Sequence, residues 1–165
     1  MFEFIIEDGT GIENATSYVT VEYVDDYADF LDDEEWGELS QEQKEKLIIQ
    51  TTMFFDDMVT FASSILSEDQ GLAFPRKEFK DANGRKIEGV PDLVKQSVTQ
   101  LVLEAQHEPL TDQQVVLERQ SWGNASEQYK FGYMEDENKV VFIKNRLMRL
   151  GYARSNTAFV TSVRA

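Results

Sequence analysis

Residues 40–62 read SQEQKEKLIIQTTMFFDDMVTFA and predict one long helix at the centre of the fold. Ser40 followed by Gln43 is the capping-box pattern that begins a helix. After it, apolar and small side chains recur at intervals of three and four residues, which places them on one helical face. That predicted buried face consists of Leu47, Thr51, Phe54, Phe55, Met58, Phe61 and Ala62.

Three further helices are predicted around this one. Thr20 is the N-cap of the first, and Pro91 stands in the first turn of the second. The third runs from Asn138 to Leu150 and ends at Gly151. Their expected buried residues are Val24, Tyr27, Ala28 and Leu31 in the first, Val94, Val98, Leu101, Val102 and Ala105 in the second, and Val140, Ile143, Leu147 and Leu150 in the third.

The predicted fold class is mainly α, a small bundle of about four helices. Weak alternation over residues 2–7 predicts an N-terminal strand, and residues 66–90 are expected to be irregular, with a polar turn at 81–86. A small β-hairpin or extended region is expected near 113–133. The predicted domain division is a helical domain over 1–151 and an extended C-terminal arm over 152–165.

The net charge of −15 is divided very unevenly along the chain. Residues 1–69 hold 19 acidic and 2 basic residues, whereas residues 138–165 hold 6 basic and no acidic residues. An acidic protein is a poor general nucleic-acid binder, because phosphate contacts supply most of that affinity. A dipolar subunit suits contact with copies of itself or with a charged partner. The alternative is a solvated acidic surface with an incidental basic end.

The sequence favours a protein without catalysis, metal or cofactor. It has no cysteine, a single histidine (His107), no phosphate-binding loop and no nucleophile motif. The carboxylates between Asp25 and Glu35 point several ways around a helix, so a solvated face is favoured over a two-metal site. The N-terminus does not resemble a signal peptide, and we expect a cytoplasmic location.

Two segments of the chain allow more than one interpretation. The tail after Gly151 is basic and has apolar anchors, so it is either a disordered end or an arm that becomes ordered on a partner. The aromatics around Trp122 either stack on bases or pack in the core or a subunit interface, and packing is favoured because they are not surrounded by basic residues.

The order of short motifs resembles a known family. These motifs are Glu7–Gly11, Ser17–Val19, an acidic helix centred on Tyr27, Leu72–Arg76 and the Val90–Pro91 step. Together they resemble a phage protein family labelled DnaT-like single-stranded DNA-binding protein, whose members lie among head–tail connector genes. The resemblance covers most of residues 4–108.

The resemblance implies a structural subunit of the bacteriophage neck: a head–tail adaptor that forms a twelve-membered ring, docks on the portal protein and contacts the next neck or tail-completion protein. Double-stranded DNA would pass through its lumen without sequence-specific binding during genome ejection. The expected location is the virion neck, and the host cytoplasm during assembly. The alternative is a single-stranded DNA-binding replication accessory protein, which needs a basic groove lined with aromatics.

Two sets of residues follow from the adaptor hypothesis. The predicted portal-binding arm consists of Tyr152, Arg154, Phe159, Val160, Val163 and Arg164. The predicted subunit interface or lumen consists of Asp25, Asp29, Asp32, Asp33, Phe74, Arg76 and Trp122.

Overall fold

The computed structural model describes residues 2–111 and 138–154. Within these residues the five helices are α1 (Val21–Phe30), α2 (Glu34–Gly37), α3 (Gln41–Met58), α4 (Asp92–Ala105) and α5 (Lys139–Arg149). Two short antiparallel pairs accompany them, β1 (Ser64–Ile65) with β2 (Arg76–Lys77), and β3 (Phe79–Lys80) with β4 (Lys86–Ile87). The mainly α class is therefore confirmed, with small hairpins added.

The central helix α3 begins where the sequence predicts. Ser40 Oγ accepts a hydrogen bond from Gln43 N at 3.3 Å, and Gln43 Oε1 accepts one from Ser40 N at 2.9 Å, which completes the capping box. The helix ends at Met58, earlier than predicted. Phe61 still reaches the core, because it forms an isolated antiparallel bridge with Ala153.

The buried face of α3 differs from the predicted one. Leu47 and Phe54 are only half-buried, whereas Ile48 and Thr52 are fully enclosed. The reason is that α3 packs against both α4 and α1, so two partners rather than one determine which side chains are covered. The buried residues of α3 are Ile48, Ile49, Thr51, Thr52, Phe55 and Met58.

The other predicted helices are present, and their faces are largely confirmed. Thr20 caps α1, Asn138 caps α5, and Gly151 follows α5 with a positive φ of 80°. Four of the five residues predicted for the buried face of α4 are buried, and Ala105 is only half-buried; Ser97, Thr99 and Leu103 are buried in addition. Leu31 is 52% exposed, contrary to the prediction, because α1 has already ended at Phe30.

Several elements were predicted wrongly or missed. Residues 2–7 form no strand, only an isolated bridge from Ile6 to Ser17. The short helix α2 was missed, and its Trp36 is buried in the core. The irregular stretch contains β2, β3 and β4, and the predicted polar turn at 81–86 joins β3 to β4. The hairpin expected near 113–133 lies outside the described residues.

The core is centred on a cluster of aromatic rings. Phe74 lies in its middle, with ring centroids 5.0 Å from Phe61 and 6.1 Å from Phe79. Tyr152 packs on the same cluster, 5.1 Å from Phe79, and is only 6% exposed. The packed unit thus extends past the predicted boundary at residue 151. No helix of the described segments is long and apolar enough to span a membrane.

Candidate functional site

Two of the motifs that carry the family resemblance, Ser17–Val19 and Leu72–Arg76, meet at Asp56 in a largely buried polar network. The hydroxyl of Tyr18 donates to Asp56 Oδ1 at 2.7 Å, and the backbone N–H of Ala73 donates to Asp56 Oδ2 at 2.8 Å. Phe74 N in turn donates to the Tyr18 hydroxyl at 3.1 Å. Burial raises the pKa of Asp56 to about 6, and burial together with this neighbouring carboxylate raises the pKa of Tyr18. The network joins the N-terminal segment, α3 and the loop before β2.

Arg76 has a structural role in the same region. Its guanidinium donates to Ala62 O at 3.0 Å, to Ala73 O at 3.1 Å and to two further backbone carbonyls, those of Phe61 and Ser63. Burial lowers the pKa of this side chain. Phe74 is only 1% exposed. Phe74, which was predicted for a subunit interface or lumen, is therefore enclosed in the core, and Arg76 of the same predicted set is used to close the fold.

The Glu7–Gly11 motif forms a self-contained loop. The buried carboxylate of Glu7 accepts hydrogen bonds from the backbone N–H groups of Gly9, Gly11 and Ile12 at 2.8–2.9 Å. These are the groups that a phosphate would need. Since a carboxylate of the chain already occupies them, this loop does not offer an anion site.

The four acidic residues predicted for an interface or lumen divide into two pairs. Asp25 accepts from Trp36 Nε1 at 2.6 Å and from Lys44 Nζ at 2.8 Å, and Asp33 caps α2 and accepts from Gln106 at 2.7 Å. The side chains of Asp25 and Asp33 thus link neighbouring helices to one another. Asp29 and Asp32 are exposed near the C-terminal end of α1. Among the described residues, no group of three His, Cys, Asp or Glu side chains is placed to hold a metal ion.

The predicted portal-binding arm is only partly described. Tyr152 lies in the core, and the backbone N–H of Arg154 donates to Thr60 O at 2.8 Å, so the chain is still part of the packed unit here. The placement of Tyr152 on a free arm is therefore wrong. The remaining members, Phe159, Val160, Val163 and Arg164, lie outside the described residues, as does Trp122 of the other set.

Helix α5 presents an exposed basic face. Lys139, Phe142, Arg146 and Arg149 are spaced by three, four and three residues, so they lie along one side of the helix. Phe142 is 42% exposed between these cations, and α5 contains no acidic residue. None of the three cations forms an ion pair with a described residue. We call Lys139, Phe142, Arg146 and Arg149 the α5 face.

The opposite side of α5 explains why these side chains face outward. Val140, Ile143 and Leu147 are almost completely buried against the core, which fixes the rotation of the helix. The sequence predicted this buried stripe and the basic charge of the segment. It did not single out Phe142, although Phe142 falls outside the predicted stripe and an exposed aromatic among cations was therefore deducible.

A cleft lies next to the N-terminal end of α5. It has a volume of about 270 Å³ and is bounded by α1, α4 and the first turn of α5. Leu31 and Leu103 give it an apolar part, and Asp33 and Glu104 line it with carboxylates. His107 also borders it, with Nδ1 2.9 Å from Glu35 Oε2.

Comparison with known proteins then identifies the family. A family model described as "Putative DnaT-like ssDNA binding protein" matches residues 2–165. Curated proteins and solved structures gave no match. The family match contradicts the neck adaptor, its portal-bound ring and the double-stranded DNA in its lumen, and it favours the alternative function instead. Of the residues that the adaptor hypothesis assigned to partner contacts, Phe74 and Tyr152 lie in the core, and the half-buried Arg76 donates to backbone carbonyls of its own chain. The chain belongs to the DnaT-like ssDNA binding protein family.

Proposed function

We propose that this protein binds single-stranded DNA through the α5 face, as a binding protein without catalysis. The observation that carries the proposal is an exposed aromatic, Phe142, placed among cations on a helix without acidic residues. Proteins that bind single strands combine positive charge along the phosphates with aromatic side chains on which bases stack. The family description supports the same class of ligand.

The dimensions of the α5 face suit a short length of strand. Lys139 and Arg149 are ten positions apart, so the cations extend over about 15 Å of helix. Phe142 lies between them and can stack on one base while Lys139 and Arg146 contact the flanking phosphates. An unpaired strand offers such a base, whereas the bases of a duplex are already stacked on each other.

The acidic remainder of the molecule limits the strength of binding. With a net charge of −15, much of the surface repels phosphate, and the α5 face must supply the attraction locally. We therefore expect modest affinity at physiological salt. The charge also directs the DNA away from residues 1–69, which contain only two basic residues.

Replacement of Phe142 by alanine tests the proposal directly. Base–aromatic stacking contributes about 1–3 kcal/mol per base, so Phe142→Ala should weaken binding by roughly 5- to 150-fold. The measurement is fluorescence anisotropy of a labelled oligothymidine titrated with protein. Thermal unfolding should change little, because the side chain is partly exposed.

Phe30→Ala is the matched control, since Phe30 is an exposed phenylalanine in an acidic setting. It should bind the oligothymidine as the wild type does. If Phe142→Ala also retains wild-type affinity, base stacking at the α5 face is wrong. Incubation of the oligonucleotide with the protein and Mg²⁺ should leave it uncleaved, and cleavage would contradict a role without catalysis. The cytoplasmic location stays a prediction.

A further inference from the structure

The C-terminal end of α1 carries an exposed apolar pair. Phe30 is 81% exposed and Leu31 is 52% exposed, and no other large apolar side chain in residues 3–111 and 138–154 is more exposed than these two. Phe30 is the last residue of α1 and Leu31 is its C-cap. Leu31 also lines the cleft between α1 and α4, so the pair and the cleft form one continuous surface. We call this surface the α1 corner.

The size of the cleft favours a side chain over a small molecule. Its volume of about 270 Å³ is below the roughly 300–1,000 Å³ that is common for small-molecule sites. Leu31 and Leu103 supply apolar contact, while the carboxylates of Asp33 and Glu104 lie on its wall. An apolar side chain with a cation beside it matches this lining.

The charge around the α1 corner defines the partner further. Asp26, Asp29 and Asp32 are exposed and form no ion pair with any residue in segments 2–111 and 138–154. This rim repels phosphate, which makes the corner unsuitable for nucleic acid. It attracts lysine and arginine, and opposite charges at the edge of an apolar patch are typical of protein interfaces.

We propose that the α1 corner docks a basic amphipathic segment of a partner protein. An apolar side chain of that segment enters the cleft beside Leu31, a second covers Phe30, and its lysine or arginine side chains face Asp26, Asp29 and Asp32. Recognition of an amphipathic helix by a groove uses such anchors at helical spacing. The site differs from the α5 face and does not depend on DNA binding, although Lys139 borders both surfaces.

The first experiment uses a short fluorescein-labelled peptide of leucine and lysine, with the leucines on one helical face. Anisotropy titrations should show binding to the full-length protein. Phe30→Ala should weaken it by at least about tenfold, because burial of the phenyl ring is lost. Phe2→Ala is the matched control, since Phe2 is 77% exposed and lies elsewhere in the acidic half, and it should bind as the wild type does.

A second peptide of the same composition, scrambled so that the leucines surround the helix, separates recognition from general charge attraction. It should bind at least about tenfold more weakly than the amphipathic peptide. Equal binding of the two peptides, or equal binding of the peptide by wild type and Phe30→Ala, would overturn the proposal. Phe142→Ala should keep peptide binding and weaken DNA binding, so failure at one surface is distinguishable from failure at the other.

A second copy of the chain is the other candidate for binding at the α1 corner, and sedimentation equilibrium of the protein without peptide tests it. We expect no association that depends on Phe30. Dimers in the wild type that disappear in Phe30→Ala would mean that the corner is a self-association surface, and the partner proposal would be wrong.

Discussion

Asp56 is the residue on which three distant parts of the chain converge. Its carboxylate accepts from the hydroxyl of Tyr18 and from the backbone of Ala73, and it extends from the last turns of α3. Burial makes the charged form costly and raises its pKa to about 6, above the ordinary value of 3.8. The residue is therefore held in place by hydrogen bonds that only partly offset the loss of hydration.

This raised pKa predicts how stability depends on pH. Below about pH 4 the carboxyl group is protonated in both the folded and the unfolded chain, so burial of Asp56 lowers the free energy of unfolding least. As pH rises from there through 6, the group must be buried either protonated against its ordinary pKa or charged, and the free energy of unfolding falls. We expect the free energy of unfolding of the wild type to fall, relative to Asp56→Asn, by about 2–3 kcal/mol between pH 4 and pH 7.

Urea unfolding of both proteins at several pH values measures this difference. Asp56→Asn should be less stable at pH 4, because its amide cannot accept from the N–H of Ala73, and the gap should narrow as pH rises. The exposed neighbour Asp57 provides the control, since the difference in free energy of unfolding between the wild type and Asp57→Asn should stay nearly constant with pH. A constant gap for Asp56→Asn as well would show that the carboxylate is not buried at a cost.

Among the elements, α5 depends most on the turn that follows it. Tyr152 N and Ala153 N donate to Leu147 O, and Ala82 N, from the turn between β3 and β4, donates to Leu150 O at 2.9 Å. Gly151 makes this close approach possible. Its φ is +80°, and a Cβ at this position would lie 2.7 Å from Ala82 N.

Gly151→Ala should therefore destabilise the protein by more than about 2 kcal/mol, from backbone strain and from a contact with backbone that cannot move aside. Gly84→Ala separates the two causes, because Gly84 has a φ of +75° but an added Cβ there would meet no atom within 4 Å. It should cost about 1–2 kcal/mol. If Gly151→Ala and Gly84→Ala lower the free energy of unfolding in urea equally, the close contact between Gly151 and the turn at Ala82 does not contribute to stability.

On the scale of the whole molecule, charge is separated between an acidic region and the basic α5 face. For single-stranded DNA, the slope of log affinity against log salt is about −0.7 per phosphate neutralised, so three contacts from Lys139, Arg146 and Arg149 predict a slope of about −2. Changing all three to glutamine should abolish most of the affinity and bring the slope near zero.

A second triple variant, Lys46→Gln with Lys77→Gln and Lys80→Gln, removes the same charge from exposed positions elsewhere. It should keep the slope and most of the affinity in oligothymidine titrations across a salt series. If both triple variants weaken binding equally, DNA responds to the overall field and not to the α5 face.

Features that depend on near neighbours in the chain were predictable from sequence. The N-caps of α1, α3 and α5, the buried stripes of α4 and α5 and the Gly151 stop all arise from contacts within a few residues. The basic charge of the C-terminal part is a property of composition, and the order of short motifs was enough to indicate the family. The functional interpretation failed because it assigned partner contacts to residues whose burial was unknown.

The amino-acid sequence by itself thus determined the main helices, the charge asymmetry and the family resemblance, since each is written in local spacing or composition. Only the tertiary structure decided that Phe74, Arg76 and Tyr152 close the core while Phe142 and Phe30 remain outside. Burial is decided by partners that are distant in sequence, as Tyr18 is from Asp56 and Phe74. The same aromatic residue type therefore lies in the core at one position and forms a candidate binding surface at another.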